Sequence, residues 1–139
     1  MPRRSPALLL VHVVWATHRR RALLPSKLDG RILVMLGRKA SELRSPMLVA
    51  GCANDHVHLV VRVATSVSLG ELVMHLKGAS ARELNVGRSA SDPFAWQDGY
   101  WAESFGPGDL GPIAEYVRRQ REHHDDSHPF ERWAAESTR

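Results

Sequence analysis

Strand-like and helical segments follow one another in the order β, α, β, β, α, β, α. That order predicts an α+β domain with the ferredoxin-like βαββαβ pattern: an antiparallel sheet with helices on one face, plus a C-terminal helix. Three observations support it. Apolar, β-branched runs occupy residues 8–17, 47–52 and 56–64. Apolar residues recur at helical spacing between and after these runs, and Gly, Pro and Asn-Asp turns separate the segments.

In the first strand, Leu9, Val11, Val13 and Trp15 alternate with Leu10, His12, Val14 and Ala16, so both faces call for cover. Pro25-Ser26 opens the first helix, whose stripe is Leu28, Ile32, Met35, Leu36 and Leu43. Asn54-Asp55 turns the second strand into the third as a hairpin. Ser68 and Glu71 form a capping box for a second helix with Leu69, Leu72, Val73, Leu76 and Leu84 on its buried side. Residues 85–98 form an exposed loop before a short strand near 99–104, which Gly106-Pro107-Gly108 stops. Asp109 caps the last helix, with Pro112 in its first turn and Leu110, Ile113 and Val117 toward the core; the helix is predicted to end near His124. One domain over 1–139 results, with its core at about 7–124 and a tail at 125–139.

Composition bounds the function. A chain of 139 residues with 43% hydrophobic and 24% charged residues suits one folded domain and excludes disorder as the main state. No apolar run approaches the ~20 residues of a membrane span, and a cytoplasmic location without membrane partners is expected. Cys52 is the only cysteine, which excludes an internal disulfide and a multi-cysteine zinc site. Its apolar strand makes it a buried small residue rather than a nucleophile. Of nineteen basic residues sixteen are Arg, and the pI is near 9.8. Guanidinium forks suit phosphate, so nucleic acid leads the list of partners. The phosphate-loop, dinucleotide and His-Glu-x-x-His motifs are missing, which removes support for ATP, NAD and zincin chemistry.

Two constellations can carry chemistry. Alternation puts His56 and His58 on one face of the third strand, where two imidazoles can share a divalent cation or stand as ordinary histidines on a solvated face. Tyr116 and Gln120, four apart on the last helix, share a face beside Ile113 and Val117. Tyrosine is a competent covalent nucleophile and an amide carbonyl suits a hard cation, although a core-edge tyrosine would look the same. Arg19, Arg20 and Arg21, Lys77 and Arg82, and Arg118, Arg119 and Arg121 can neutralise phosphates or simply be solvated. His123 and His124 are further candidates near a metal, or dipole partners of a helix end. Trp96, Trp101 and Trp133 can stack on unpaired bases or pack in the core.

These residues fall into blocks: Val11 to Thr17 followed by basic residues, Asn54-Asp55-His56-Val57-His58-Leu59-Val60-Val61, Leu76-Lys77-Gly78-Ala79-Ser80, Trp96-Gln97-Asp98-Gly99-Tyr100, and Tyr116-Val117-Arg118-Arg119-Gln120 with His123-His124. In content and order they resemble the single-tyrosine HUH transposases, both the insertion-sequence type and the REP-associated tyrosine transposases. The resemblance implies His56 and His58 as paired histidines, Gln120 as third metal ligand, Mg²⁺ or Mn²⁺ as the cation and Tyr116 as nucleophile. It further implies cleavage of single-stranded DNA, often beside a hairpin, through a 5′-phosphotyrosine, either within one chain or in a homodimer whose last helix completes the neighbour's site. His18-Arg19-Arg20 replaces a common Lys-Tyr-Arg type segment, and Glu103 stands where small or apolar residues are usual. Rival readings are an HUH replication or nicking protein, which should need an origin and extra domains, and a non-catalytic nucleic-acid-binding module, in which Tyr116 would be dispensable.

Overall fold

A computed structural model describes residues 7–122 and 128–137. Strands β1 (Leu10–Ala16), β2 (Met47–Cys52), β3 (His56–Arg62) and β4 (Trp101–Phe105) form one antiparallel sheet in the order β2-β3-β1-β4. Helices α1 (Asp29–Glu42) and α2 (Leu69–Asn85) are the expected pair, and α3 (Leu110–Arg118) and α4 (Pro129–Ser137) follow β4. The strand order is the one that the βαββαβ pattern calls for, with each helix-linked strand pair separated by one antiparallel strand.

Alternation divides the sheet into two unlike faces. Val11, Val13 and Trp15 of β1 join Val57, Leu59 and Val61 of β3, and α1 and α2 cover them with Ile32, Leu36, Ala40, Leu72, Val73 and Leu76. Each such aliphatic side chain contributes about 1.5–3 kcal/mol through burial. On the other face, pairing sets His12 beside Val60, Val14 beside His58 and Ala16 beside His56. Here α3 supplies Ala114 and Val117, and α4 supplies Phe130 and Ala134. All seven residues of β1 are therefore buried, as its two apolar faces predict.

Helix ends follow local chemistry. The Ser68 side chain accepts a hydrogen bond from the Glu71 amide at 3.1 Å and caps α2. The expected helix start at Pro25-Ser26 is a separate 3₁₀ turn over Ser26–Leu28, after which α1 begins. A second 3₁₀ turn, Pro107–Asp109, precedes α3, and Asp109 makes no side-chain cap. The helix predicted to reach His124 stops at Arg118, where the Gln120 side-chain amide donates to the Tyr116 carbonyl at 2.9 Å and satisfies a group the helix leaves open. Residues 129–137, expected to be tail, form α4, with Phe130 and Ala134 buried at four-residue spacing. Among the described residues no helix is long and apolar enough to cross a membrane.

Candidate active site

The second face of the sheet buries polar groups, and each has a partner. His56 and His58 project from β3 with ring centroids 5.0 Å apart and relative exposures of 4% and 1%, so the solvated-face alternative does not describe them. The His56 Nδ1–H donates to Asp55 Oδ1 at 2.7 Å. Asp55 in turn accepts from Arg20 Nε at 3.1 Å and Nη2 at 3.3 Å. Burial opposes ionisation of this carboxyl, but the hydrogen bonds from His56 and Arg20 outweigh it and hold Asp55 down at about 2. Arg19 and Arg20 both adopt the left-handed backbone (φ 55°), a strained turn that the Asp55 contact helps to hold.

His58 is anchored differently. Its Nδ1 lies 2.8 Å from Nε2 of His12 on β1, whose ring is 5% exposed. Burial pushes the His58 pKa well below the ordinary imidazole range, and the cations of His56, His12, His128 and Arg20 would add to that shift. Burial, helped by His128, lowers His12 to about 4. Both rings are consequently neutral at physiological pH, the form in which imidazole ligates metal.

Helix α3 brings the phenol to this cluster. The Tyr116 ring lies 5.5 Å from His58 and 6.2 Å from His12, centroid to centroid, and stacks on His128 at 5.4 Å. Close approach of α3 to the sheet depends on Gly51, the β2 partner of His58, since a Cβ there would overlap the Val117 carbonyl oxygen. Just past the helix, the side chain of Gln120 is oriented by its bond to the Tyr116 carbonyl, and its Oε1 stands 3.4 Å from His56 Nε2. Tyr116, His56, His58 and Gln120 thus meet within a single chain.

Two hollows flank the cluster. One, of about 380 Å³, is lined by His12, Trp101, Glu103, Phe105 and Tyr116. The other, of about 570 Å³, is lined by Pro25, Asn54, Asp55, Gln120 and Arg121. Above the imidazoles lies α4: Phe130 is 5.3 Å from His56 and 6.1 Å from His58, and Arg20 Nη1 pairs with Glu131 at 3.1 Å.

The basic residues separate into tied and open groups. Arg20 is held by Asp55 and Glu131, which raise its pKa against burial. Arg121 donates to Asp29, Asn54 and the Leu24 carbonyl, and Lys77 donates to the Gln97 and Gly99 carbonyls. Those three fasten chain segments together. Arg19 is exposed, and Arg21 pairs with Asp92 at the surface. Arg118 and Arg119 are exposed on the site's side and pair with Glu115. Arg82 is exposed on α2, behind the sheet. Trp96 is core, donating to Ser80 at 3.0 Å; Trp133 packs on Phe130, and Trp101 alone of the three faces a hollow. Cys52 is buried, and its surroundings push the thiol up to about 12, so it is inert. His123 and His124 lie outside the described residues.

Among the described residues no group of three His, Cys, Asp or Glu side chains could hold a metal ion. The donor set present is instead two imidazoles and an amide carbonyl. His56 Nε2 and Gln120 Oε1 face one another at 3.4 Å, so an imidazole nitrogen and an amide oxygen converge on one point. Two cis ligands each about 2.1 Å from one ion stand about 3 Å apart, so an imidazole nitrogen and an amide oxygen near this spacing suit a shared small cation. Sequence reasoning missed His12, Arg20 as an anchor, Glu131 and His128. The available signal for His12 was a polar residue in a strand apolar on both faces.

Residues 6–120 match the family described as "Transposase IS200 like". The chain belongs to the IS200-like transposase family. No curated protein matches it significantly. Solved structures share the fold, two of them as follows. A candidate transposase from Deinococcus radiodurans R1 is 21% identical, with a TM-score of 0.68 over 87% of this chain and 97% of that one. A REP-associated tyrosine transposase bound to a REP hairpin is 11% identical, with a TM-score of 0.59 over 84% of this chain and 70% of that one.

Proposed function

We propose that this IS200-like transposase is a divalent-cation-dependent endonuclease and strand transferase for single-stranded DNA that works through Tyr116. The observation that carries the reading is the meeting of Tyr116 with His58, and of Gln120 with His56, in one buried cluster. The Tyr116 oxygen attacks the scissile phosphorus, forming an O–P bond as the bond to the 3′ oxygen breaks; the phenol loses its proton and the departing 3′ oxygen gains one. The 5′-phosphotyrosine preserves the ester energy, so a second 3′-hydroxyl can reverse the step and complete a transfer without ATP. His56, His58 and Gln120 would hold Mg²⁺ or Mn²⁺, which when bound supplies polarisation of the phosphate and neutralises charge on its oxygens.

The chain's own residues do the rest. Asp55 and His12 orient the two imidazoles, and the Gln120 bond to the Tyr116 carbonyl couples the amide to the helix that bears the nucleophile. Arg19, Arg21, Arg118 and Arg119 are the exposed cations best placed to meet a DNA backbone, whereas Arg20 and Lys77 act by shaping the site and its loop. A hairpin-bearing single strand is the substrate to try first, since the REP-associated relative is bound to one. Labelled hairpin oligonucleotides with Mn²⁺ should give a denaturation-resistant protein–DNA adduct, and Tyr116→Phe should give none. Equal adduct from that variant would refute the reading.

A further inference from the structure

We infer that His12 is a positioning residue that selects which nitrogen of His58 is free to act. The inference deepens the proposed reading and rests on it for the cation, but it stands on a hydrogen bond that any ligand-free sample can report. His12 Nε2 and His58 Nδ1 are 2.8 Å apart, both rings are buried, and the two residues sit on adjacent strands, offset by two residues from direct pairing and so on the same face.

A neutral imidazole carries one proton, so one ring must donate and the other accept. If His58 donates from Nδ1, its Nε2 keeps a lone pair for a cation. If His12 donates from Nε2, the proton of His58 is forced onto its own Nε2 and that ligand position is blocked. Only the first arrangement makes His58 a ligand, and it requires an acceptor at the position of His12 Nε2. The ring contacts of His12 also place it between His58, Trp101 and Tyr116, with centroids 5.1, 5.2 and 6.2 Å away, so it fixes the plane of His58 as well as its proton. His56 receives the same service from a carboxylate, Asp55. One ligating ring is therefore steered by an anion and the other by a neutral ring, an asymmetry that nothing in the local sequence motif around His56 and His58 reveals. Loss of such an orienting partner typically weakens metal affinity 10–100-fold.

The test uses the whole chain and two readouts. In metal-free protein, long-range ¹⁵N–¹H correlation spectra should show His58 with its proton on Nδ1; a proton on Nε2 in the wild type would overturn the inference whatever the fate of the nuclease reading. In His12→Phe, which keeps a ring but removes the acceptor, the His58 proton should move to Nε2. Mn²⁺ titration by calorimetry should then show affinity reduced 10–100-fold in His12→Phe and restored toward wild type in His12→Gln, whose amide oxygen can replace Nε2 as acceptor. Thermal melting in EDTA serves as the control for folding. Mn²⁺ affinity in a folded His12→Phe protein equal to the wild type would refute the role of His12. Absence of Mn²⁺ binding by the wild type would instead refute the cation in the proposed function, with the spectra still deciding the hydrogen bond.

Discussion

One strand of this protein faces two different solvents. On the α1–α2 side, β3 presents Val57, Leu59 and Val61 to a cluster of buried apolar residues, whereas on the α3–α4 side the same strand presents His56 and His58 among His12, Tyr116 and Gln120. Both sides are buried. The difference teaches that burial alone does not separate scaffold from site here; the partners do. On the first side contacts are largely dispersive, while on the second the buried side chains of His12, His56, His58 and Gln120 each hydrogen-bond a named neighbour.

The sharpest way to break the comparison is to change adjacent residues of β3. His58→Ala should lower adduct formation by about 10²–10³-fold or more, the scale set by removal of a group that stabilises transition-state charge. Stability should change far less than activity. Leu59→Ala, one residue on and fully buried on the opposite face, should cost about 2–5 kcal/mol in unfolding free energy. Adduct formation per folded molecule should stay near wild type. Denaturant melts and single-turnover adduct assays on both variants check the pair, and a Leu59→Ala protein that is folded but inactive would show that the faces are coupled.

Acid separates the faces next. His12 titrates at about 4 in the folded chain against about 6.5 when unfolded, so the unfolded state binds protons first as the pH drops. Stability from keeping this ring neutral is fully present above about pH 6.5 and is lost as pH falls toward 4, by roughly 3 kcal/mol in all. Asp55, held at about 2 against an ordinary 3.8, adds a further loss only below about pH 4. Metal-free denaturant melts at pH 7.5 and 5 should therefore differ, and His12→Gln should reduce the difference while the share of His58 remains. In the apolar cluster the titratable Cys52 thiol is pushed up by burial to about 12, so it contributes nothing in acid.

How far sequence reaches differs between the faces too. The scaffold side was legible because its signals are local: alternation in β1 and β3, helical spacing in α1 and α2, and the Ser68 cap that forms as read. His56, His58, Tyr116 and Gln120 were legible as local pairs, and family resemblance joined them. The support for these residues was not legible. Arg20 binds Asp55 and Glu131 across 35 and 111 residues, and Arg121 reaches the Leu24 carbonyl across 97, so a run of arginines that looks like a phosphate binder is partly internal cross-linking. His12 was assigned to its proper face, yet only the β1–β3 register brings it to His58. The end of the last helix was overestimated because the Gln120 side chain, not a Gly or Pro, closes it.

Gly51 offers a smaller perturbation that should affect the site side first. It lies under the Val117 carbonyl and opposite His58, so Gly51→Ala must lift α3 and with it Tyr116. Overpacking of this kind costs about 1–3 kcal/mol, and displacement of a reacting group by 1 Å can cost about 100-fold in rate. Adduct formation should accordingly fall by more than the melting point suggests. A variant that loses stability but keeps its rate would mean that α3 is not seated by this contact.

The smallest expected effect concerns α4, and its sign is the informative part. His56 and His58 are 4% and 1% exposed, with Phe130 of α4 packed over both rings. The half-buried Arg20–Glu131 pair is one of the fastenings, and exposed or partly exposed pairs of this kind contribute about 0.2–1 kcal/mol. Glu131→Lys sets two cations against each other and should favour the lifted helix by about 1 kcal/mol, which corresponds to roughly fivefold in population. If lifting precedes cleavage, adduct formation should rise by up to that factor while thermal stability falls slightly. The α1–α2 side has no counterpart, because loosening a helix there exposes only scaffold. A fall in adduct from Glu131→Lys would instead mean that α4 belongs to the working site, holding Arg20 and, through it, Asp55 and His56 in place.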